Sequence, residues 1–279
     1  MVTGFGQRLA DAVAAYGPLC AGIDPHPPLL ARWGLADDAD GLARFADACL
    51  AGFAGAVALV KPQSAFFERH GSAGIAVLER LLAGFAGTPT LTLLDAKRGD
   101  IGSTMDGYAD ACLRPGAPLG ADAVTLSPYL GFGSLEPAFT AAAAAGRGVF
   151  VLARTSNPEG GAVQLATAPG GRTVAQSMVD AAAERNAGAV PTGDVGVVVG
   201  GTHDHGLDLS ALNGPVLVPG LGAQGADPAD IASRFAGASG PVLPAAARTL
   251  LAAGPDPAAL RDAARALGEE LASARAVAG

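Results

Sequence analysis

Lys61 and Lys97 are the only two lysines in a chain of 279 residues that otherwise writes its basic positions as sixteen arginines. An ammonium is a compact charge whose protonation can be tuned, whereas guanidinium stays charged and fork-shaped, so both positions are candidates for acid–base chemistry. Lys61 closes the apolar run AVALVK, and Lys97 lies inside LTLLDAKRGDIGST, two residues after Asp95 and three before Asp100. On an extended strand the side-chain period of two puts Asp95 and Lys97 on one side. Two carboxylates close to one ammonium favour its charged form, so Lys97 is expected to serve as an acid rather than as an amine nucleophile.

Eight short apolar runs must position these groups: 18–24, 56–61, 90–97, 122–128, 148–154, 195–200, 215–220 and 241–247. Ala-rich stretches with helical periodicity lie between them, at 41–53, 74–85 and 173–186, with a tail at 257–277. Near-continuously apolar strands alternating with helices imply a parallel sheet covered outside, and eight such units predict a closed (β/α)₈ barrel spanning residues 1–279 as one domain. A preceding helix over 5–15 would cap one end. Polar residues gather at the strand ends: Asp24, Lys61, Asp95, Lys97, Ser127, Ser156 and Arg248. In such a barrel these ends converge on one mouth. The segment 156–171, SNPEGGAVQLATAPGG, reads as a long irregular loop over that mouth.

Composition excludes several classes of function. Half the residues are hydrophobic, enough for a large core, and the formal charge of −8 comes without a basic run to neutralise a phosphate backbone, so no nucleic-acid partner is expected. No uninterrupted apolar run approaches the roughly 18 residues of a membrane span, and the N-terminus lacks the pattern of an export signal. Cys20, Cys49 and Cys112 show no CxxC spacing and read as reduced, buried thiols. A cytoplasmic location is expected. His203, Asp204 and His205 read as a solvated loop, since no third ligand or rigid frame is evident, and no metal site is predicted. Ser127 and Ser156 have no His/Asp partners that would make a hydrolase triad. Trp33, Phe66 and Phe67 read as packing groups.

The motifs together resemble one family. DAKRGDI (95–101) looks like the DxKxxD signature of orotidine 5'-monophosphate decarboxylases, and KPQSAFFE (61–68) resembles their bacterial subgroup. The likeness continues through GIDPHP (22–27), SPYLGFGS (127–134), ARTSNPEG (153–160), VVVGGTH (197–203) and VPGLGAQG (218–225). The resemblance implies decarboxylation of orotidine 5'-monophosphate to uridine 5'-monophosphate, without a cofactor, in pyrimidine biosynthesis. It implies that Lys97 donates the proton replacing the departing carboxylate, that Asp95 lies beside that carboxylate, and that Lys61 and Asp24 bind ribose hydroxyls. It further implies that Ser156 reads the pyrimidine edge, that Gln224 and Arg248 grip the 5'-phosphate, and that Asp100 and Thr104 reach into a neighbouring subunit's site in a homodimer. Ile101, Ser127, Pro219 and Gly222 complete the expected substrate contacts. Ala247 departs from the pattern, which often has Ser before the arginine.

Other readings stay open at this stage. VPGLGAQG also satisfies GxGxxG from Gly220 to Gly225, but it follows the seventh run, whereas a dinucleotide fingerprint follows the first strand of its fold. Metal-dependent sugar-phosphate decarboxylases and aldolases of the same superfamily share a DxKxxD-like element, yet place an acidic metal ligand where this chain has Lys61. A Schiff-base aldolase using either lysine, and a silent nucleotide-binding barrel, are the remaining alternatives.

Overall fold

Each of the eight apolar runs forms a strand because it has an apolar layer to bury on both faces. The computed structural model describes residues 2–222 and 225–278. The strands are β1 (Cys20–Ile23), β2 (Leu59–Pro62), β3 (Leu91–Arg98), β4 (Ala123–Leu126), β5 (Gly148–Arg154), β6 (Val195–Val199), β7 (Val216–Pro219) and β8 (Val242–Ala246). They pair in chain order, all parallel, and β8 returns to β1 through Cys20↔Ala245 and Ala21↔Ala246, so the barrel closes. Alternate residues divide between two apolar clusters. Leu59, Leu91, Leu93, Ala123, Phe150, Val198, Leu217 and Leu243 fill the interior. Val60, Leu94, Val124, Val151, Val197, Val199 and Val218 face outward, where the helices cover them. That division is why the strands read as continuous apolar runs rather than as alternating ones.

Helices Ala39–Phe53, Gly71–Phe85, Val174–Arg185 and Pro257–Ala278 occupy the Ala-rich spacers. Two start on side-chain caps: Asp38 accepts the Gly41 amide at 2.8 Å, and Thr173 accepts the Gln176 amide at 3.1 Å. Helix Phe5–Tyr16 plugs the end of the barrel from which the strands begin, and Phe5, Leu9 and Ala12 join the interior cluster. The Phe5 ring meets Phe150 edge-on, with centroids 6.0 Å apart. This contact depends on two glycines, because a Cβ on Gly148 would lie 2.4 Å from the Phe5 ring and one on Gly196 would lie 2.6 Å from Phe150. The plug is anchored by polar contacts to loops at that end. Asp194 accepts the Gly6 amide at 2.7 Å, while Arg8 donates to Asp122 at 2.5 Å and to the Gly146 carbonyl at 2.7 Å.

The segment 156–171 is more ordered than its composition implies. It contains a 3₁₀ turn at Pro158–Gly160, a helical turn at Gly161–Gln164, and a bridge from Thr167 to Thr173. Gln164 ties it to the end of β5 by accepting from the Arg154 guanidinium and the Thr155 amide, both at 3.0 Å. A polar side chain thus supplies the bonds that the Gly/Pro-rich sequence lacks. Cys20, Cys49 and Cys112 are buried free thiols. Burial pushes the Cys20 thiol up to about 12, which leaves it an inert packing group in the interior. Among the described residues, no helix is long and apolar enough to cross a membrane.

Candidate active site

With one end plugged, the mouth at the C-terminal ends of the strands opens on a cavity of about 1020 Å³. Asp24, Lys61, Asp95 and Lys97 line it where β1, β2 and β3 end, and Ser156, Pro219 and Arg248 line it at the ends of β5, β7 and β8. Each charged group sits at the end of a strand, where the interior stops being apolar. Gly22 allows β1 and the turn after β8 to meet, since a Cβ there would lie 2.6 Å from that of Ala247.

Asp95 is the centre of the site. Its side chain is 7% exposed, and both oxygens are fully engaged. Oδ1 accepts from the Lys97 ammonium at 2.6 Å and the Thr125 hydroxyl at 2.8 Å. Oδ2 accepts from the Lys61 ammonium and the Gln63 amide, both at 3.0 Å. Burial alone would raise its pKa, but the ammonium groups of Lys61 and Lys97 outweigh burial and hold the carboxyl well below the usual aspartate range. The same logic runs in reverse at Lys61. Burial disfavours its charge, and the carboxylates of Asp24 and Asp95 more than restore it, so its pKa lies above the ordinary lysine value. Lys61 Nζ stands 3.9 Å from Asp24 Oδ1, an oxygen that is buried yet has no hydrogen-bond partner. The Asp24 side chain as a whole is 18% exposed and lines the cavity, while this oxygen faces the Lys61 ammonium.

Lys97 reaches Asp95 by a route the strand period does not give. It has φ of +49°, a left-handed conformation rare for a side chain of this type and costing of order 1–3 kcal/mol. Around it the β3–β4 register breaks. Leu94 pairs with Val124 and Arg98 with Leu126, so three residues of β3 bulge opposite the single residue Thr125. Simple alternation is therefore the wrong reason for the Asp95–Lys97 approach; the bulge swings the lysine back over the carboxylate. Its side chain remains 44% exposed toward the cavity, unlike that of Lys61 at 8%.

The remaining sequence-predicted residues fall into three groups. Asp100, Ile101 and Thr104 lie on the rim at the start of helix Gly102–Cys112 and do not line the cavity. Asp100 accepts the Ile101 amide at 2.7 Å, and within this chain Lys97 does not stand between Asp95 and Asp100. The alternation of charge runs Asp24, Lys61, Asp95, Lys97 instead. Ser127 is also outside the cavity lining, its amide donating to the Arg98 carbonyl at 2.7 Å. Gly222 bends the loop after β7 at φ +74°, and its amide is spent on the Ala226 carbonyl at 2.8 Å. Gln224 lies outside the described residues.

Gln63 and Thr125 were not singled out from sequence, although both bond Asp95 directly. The available signal was weak: a polar residue two positions past Lys61, and a lone Thr within the apolar run of β4. Among the described residues, no group of three or more His, Cys, Asp or Glu side chains is arranged to hold a metal ion. His203 and Asp204 are exposed, but His205 is not simply solvated. It stacks against Phe235 at 4.7 Å, accepts the Leu207 amide on Nδ1, and meets the Arg234 carbonyl through Nε2.

A closed barrel of eight parallel strands covered by helices, with its charged groups gathered at the C-terminal face, places the chain among the (β/α)₈-barrel enzymes. Within that class, the chain belongs to the Orotidine 5'-phosphate decarboxylase / HUMPS family, whose model matches residues 17–263. It is 61% identical over 261 residues to the orotidine 5'-phosphate decarboxylase of Salinispora arenicola, covering 93% of this chain and 94% of that one. Identity to the Streptomyces coelicolor enzyme of the same name is 52% over 274 residues, covering 97% and 98%. Among solved structures, one from Streptomyces avermitilis superposes with a TM-score of 0.94 at 52% identity, covering 99% of this chain and 97% of that one. The Leishmania donovani OMP decarboxylase superposes with a TM-score of 0.75 at 28% identity, covering 98% and 99%.

The two lysines should differ in what they contribute to stability. Lys61→Met leaves the carboxylates of Asp24 and Asp95 facing each other without the ammonium that separates them and should cost roughly 3–5 kcal/mol. Lys97→Ala removes a half-exposed partner and leaves Asp95 Oδ2 bonded to Lys61 and Gln63, so its cost should be smaller, about 1 kcal/mol. Urea unfolding of both variants checks the order; equal losses would contradict it.

Proposed function

We propose that this chain decarboxylates orotidine 5'-monophosphate to uridine 5'-monophosphate and carbon dioxide, the last step of de novo pyrimidine nucleotide synthesis, in the cytoplasm. The observation that carries the proposal is the Lys97 ammonium 2.6 Å from a buried, ionised Asp95 at the wall of an open cavity. The reaction breaks the bond between the ring carbon and its carboxylate. The bonding pair stays on the ring carbon, carbon dioxide leaves, and one proton from Lys97 Nζ completes the product. No electrons are gained or lost, so the step balances without a redox partner.

The site's charges favour the transition state over the bound substrate. A substrate carboxylate placed beside Asp95 is repelled, and the repulsion fades as the charge leaves with carbon dioxide. Charge building on the ring carbon is met by the Lys97 ammonium, already aimed by its bond to Asp95. Lys61 holds Asp95 ionised from behind, and Asp24, whose side chain lines the cavity, accepts from a ribose hydroxyl. Pro219 at the end of β7 and Arg248 after β8 line the part of the mouth where barrels bind phosphate, Gln224 is assigned to the phosphate by the resemblance alone, and Ser156 after β5 serves the base. The sugar-phosphate branch of the superfamily needs a carboxylate metal ligand at the end of β2, where this chain has Lys61 pinned to Asp95.

Asp100 and Thr104 serve the site of a second copy of the chain, as the resemblance implies. Their rim carries exposed apolar groups: Ile101 is 62% exposed, and Tyr129 and Leu130 of the adjoining loop are 80% and 53% exposed. The two loops are joined by the Ser127–Arg98 backbone bond, so they present one surface.

Lys97→Ala should fold and lose decarboxylation by about 10³-fold or more, followed as the loss of substrate ultraviolet absorbance. Parental turnover by that variant sinks the proposal. Mixing Lys97→Ala with Asp100→Ala subunits should restore roughly a quarter of parental activity, because half the dimers are mixed and each of these regains one complete site. An inactive mixture, or an active Asp100→Ala alone, contradicts the shared site.

A further inference from the structure

Thr125 is fully buried, does not line the cavity, and spends its one hydroxyl on both partners of the central ion pair. Its Oγ1 accepts the Lys97 amide at 3.0 Å and donates to Asp95 Oδ1 at 2.8 Å. It is also the single β4 residue opposite the β3 bulge, where the ladder passes from Leu94–Val124 directly to Arg98–Leu126. The bulge removes Lys97 from regular strand pairing, and the Thr125 oxygen takes the place of a main-chain acceptor for its amide.

We infer that Thr125 is a positioning residue: its hydroxyl fixes the left-handed backbone of Lys97 and the rotation of the Asp95 carboxylate as one unit. The geometry divides the work by atom. Asp95 Oδ1 receives the Thr125 hydroxyl and the Lys97 ammonium, so the acceptor that aims the proton is itself aimed by Thr125. Asp95 Oδ2 is held separately by Lys61 and Gln63. Loss of the hydroxyl therefore leaves Asp95 buried and ionised, while removing the one fixed donor at Oδ1 that sets the carboxylate plane against the Lys97 ammonium and the one acceptor of the Lys97 amide. The neighbouring Arg98 is secured independently, by Glu68 and by the Ala96 carbonyl at 3.1 Å, which confines the effect to Lys97.

The effect on turnover rests on the decarboxylase reading, whereas the effect on the Lys97 backbone does not. Thr125→Val keeps the shape and removes the hydroxyl; Thr125→Ser keeps the hydroxyl and removes the methyl. In Thr125→Val the Lys97 amide should exchange with solvent hydrogen about tenfold faster or more. With orotidine 5'-monophosphate its kcat should fall by about 10²-fold while KM stays within about threefold. Thr125→Ser should match the parent in both measurements. A merely structural Thr125 gives the opposite order, because Val fills the site better than Ser, and that order overturns the inference. Parental amide exchange and kcat in Thr125→Val overturn it as well. Should Thr125→Val fail to fold, Thr125→Ser decides alone: parental exchange and kcat support the inference, and a Ser variant impaired in either contradicts it. A parent that does not turn over the nucleotide refutes the decarboxylase reading, and the exchange measurement still decides the role of Thr125.

Discussion

Burying the carboxylate of Asp95 at the end of an apolar barrel sets the terms for everything around it. An ionised group taken out of water must recover its lost hydration from fixed partners, and here four donors do so from three strand ends. Lys61 and Gln63 come from the end of β2, Lys97 from β3 itself and Thr125 from β4. The demand explains features that look unrelated. A lysine is buried at 7% exposure, a hydroxyl interrupts an apolar strand, and a lysine adopts a backbone conformation that disfavours it. Remove the carboxylate and none of the three has a physical reason.

Such a cluster needs a frame that does not yield. The opposite end of the barrel supplies it, with Phe5, Leu9 and Ala12 packed among interior strand residues and the plug tied down through Asp194 and Asp122. Close packing at Gly148 and Gly196 leaves no room for the interior to shift. The strain at Lys97 is therefore carried by a rigid barrel rather than relaxed by it. The same division leaves the C-terminal mouth free for polar groups and loops, which is where chemistry can vary without loss of the fold.

Much of this was legible in the sequence because it depends on local composition. Eight apolar runs flanked by helical spacers predicted eight strands, and each formed within a few residues of its expected bounds. Lys61, Asp95 and Lys97 stood out because ammonium and carboxylate at strand ends are costly without a partner. Thr125 and Gln63 did not, because a Thr in a strand reads as an ordinary β-former and the contacts that define both roles join residues about thirty positions apart. The bulge at Lys97 was invisible for a different reason: lysine has no preference for the left-handed region, so no residue type announced it. Gly222 shows the converse. It was expected as a substrate contact, yet it bends the loop at φ +74° and its amide serves the turn itself.

The decarboxylase reading depends on Asp95 being charged before substrate arrives, since only a charged group repels the substrate carboxylate and aims the Lys97 ammonium. The most direct measurement is a carbon-13 NMR titration of the Asp95 side-chain carboxyl in the free protein, assigned by comparison with Asp95→Asn. With its pKa held down by Lys61 and Lys97, the signal should remain that of a carboxylate as the pH falls through about 4, the midpoint of an ordinary aspartate. A midpoint above about 5 would mean that burial outweighs the two ammonium groups, and the electrostatic account of the site would be wrong.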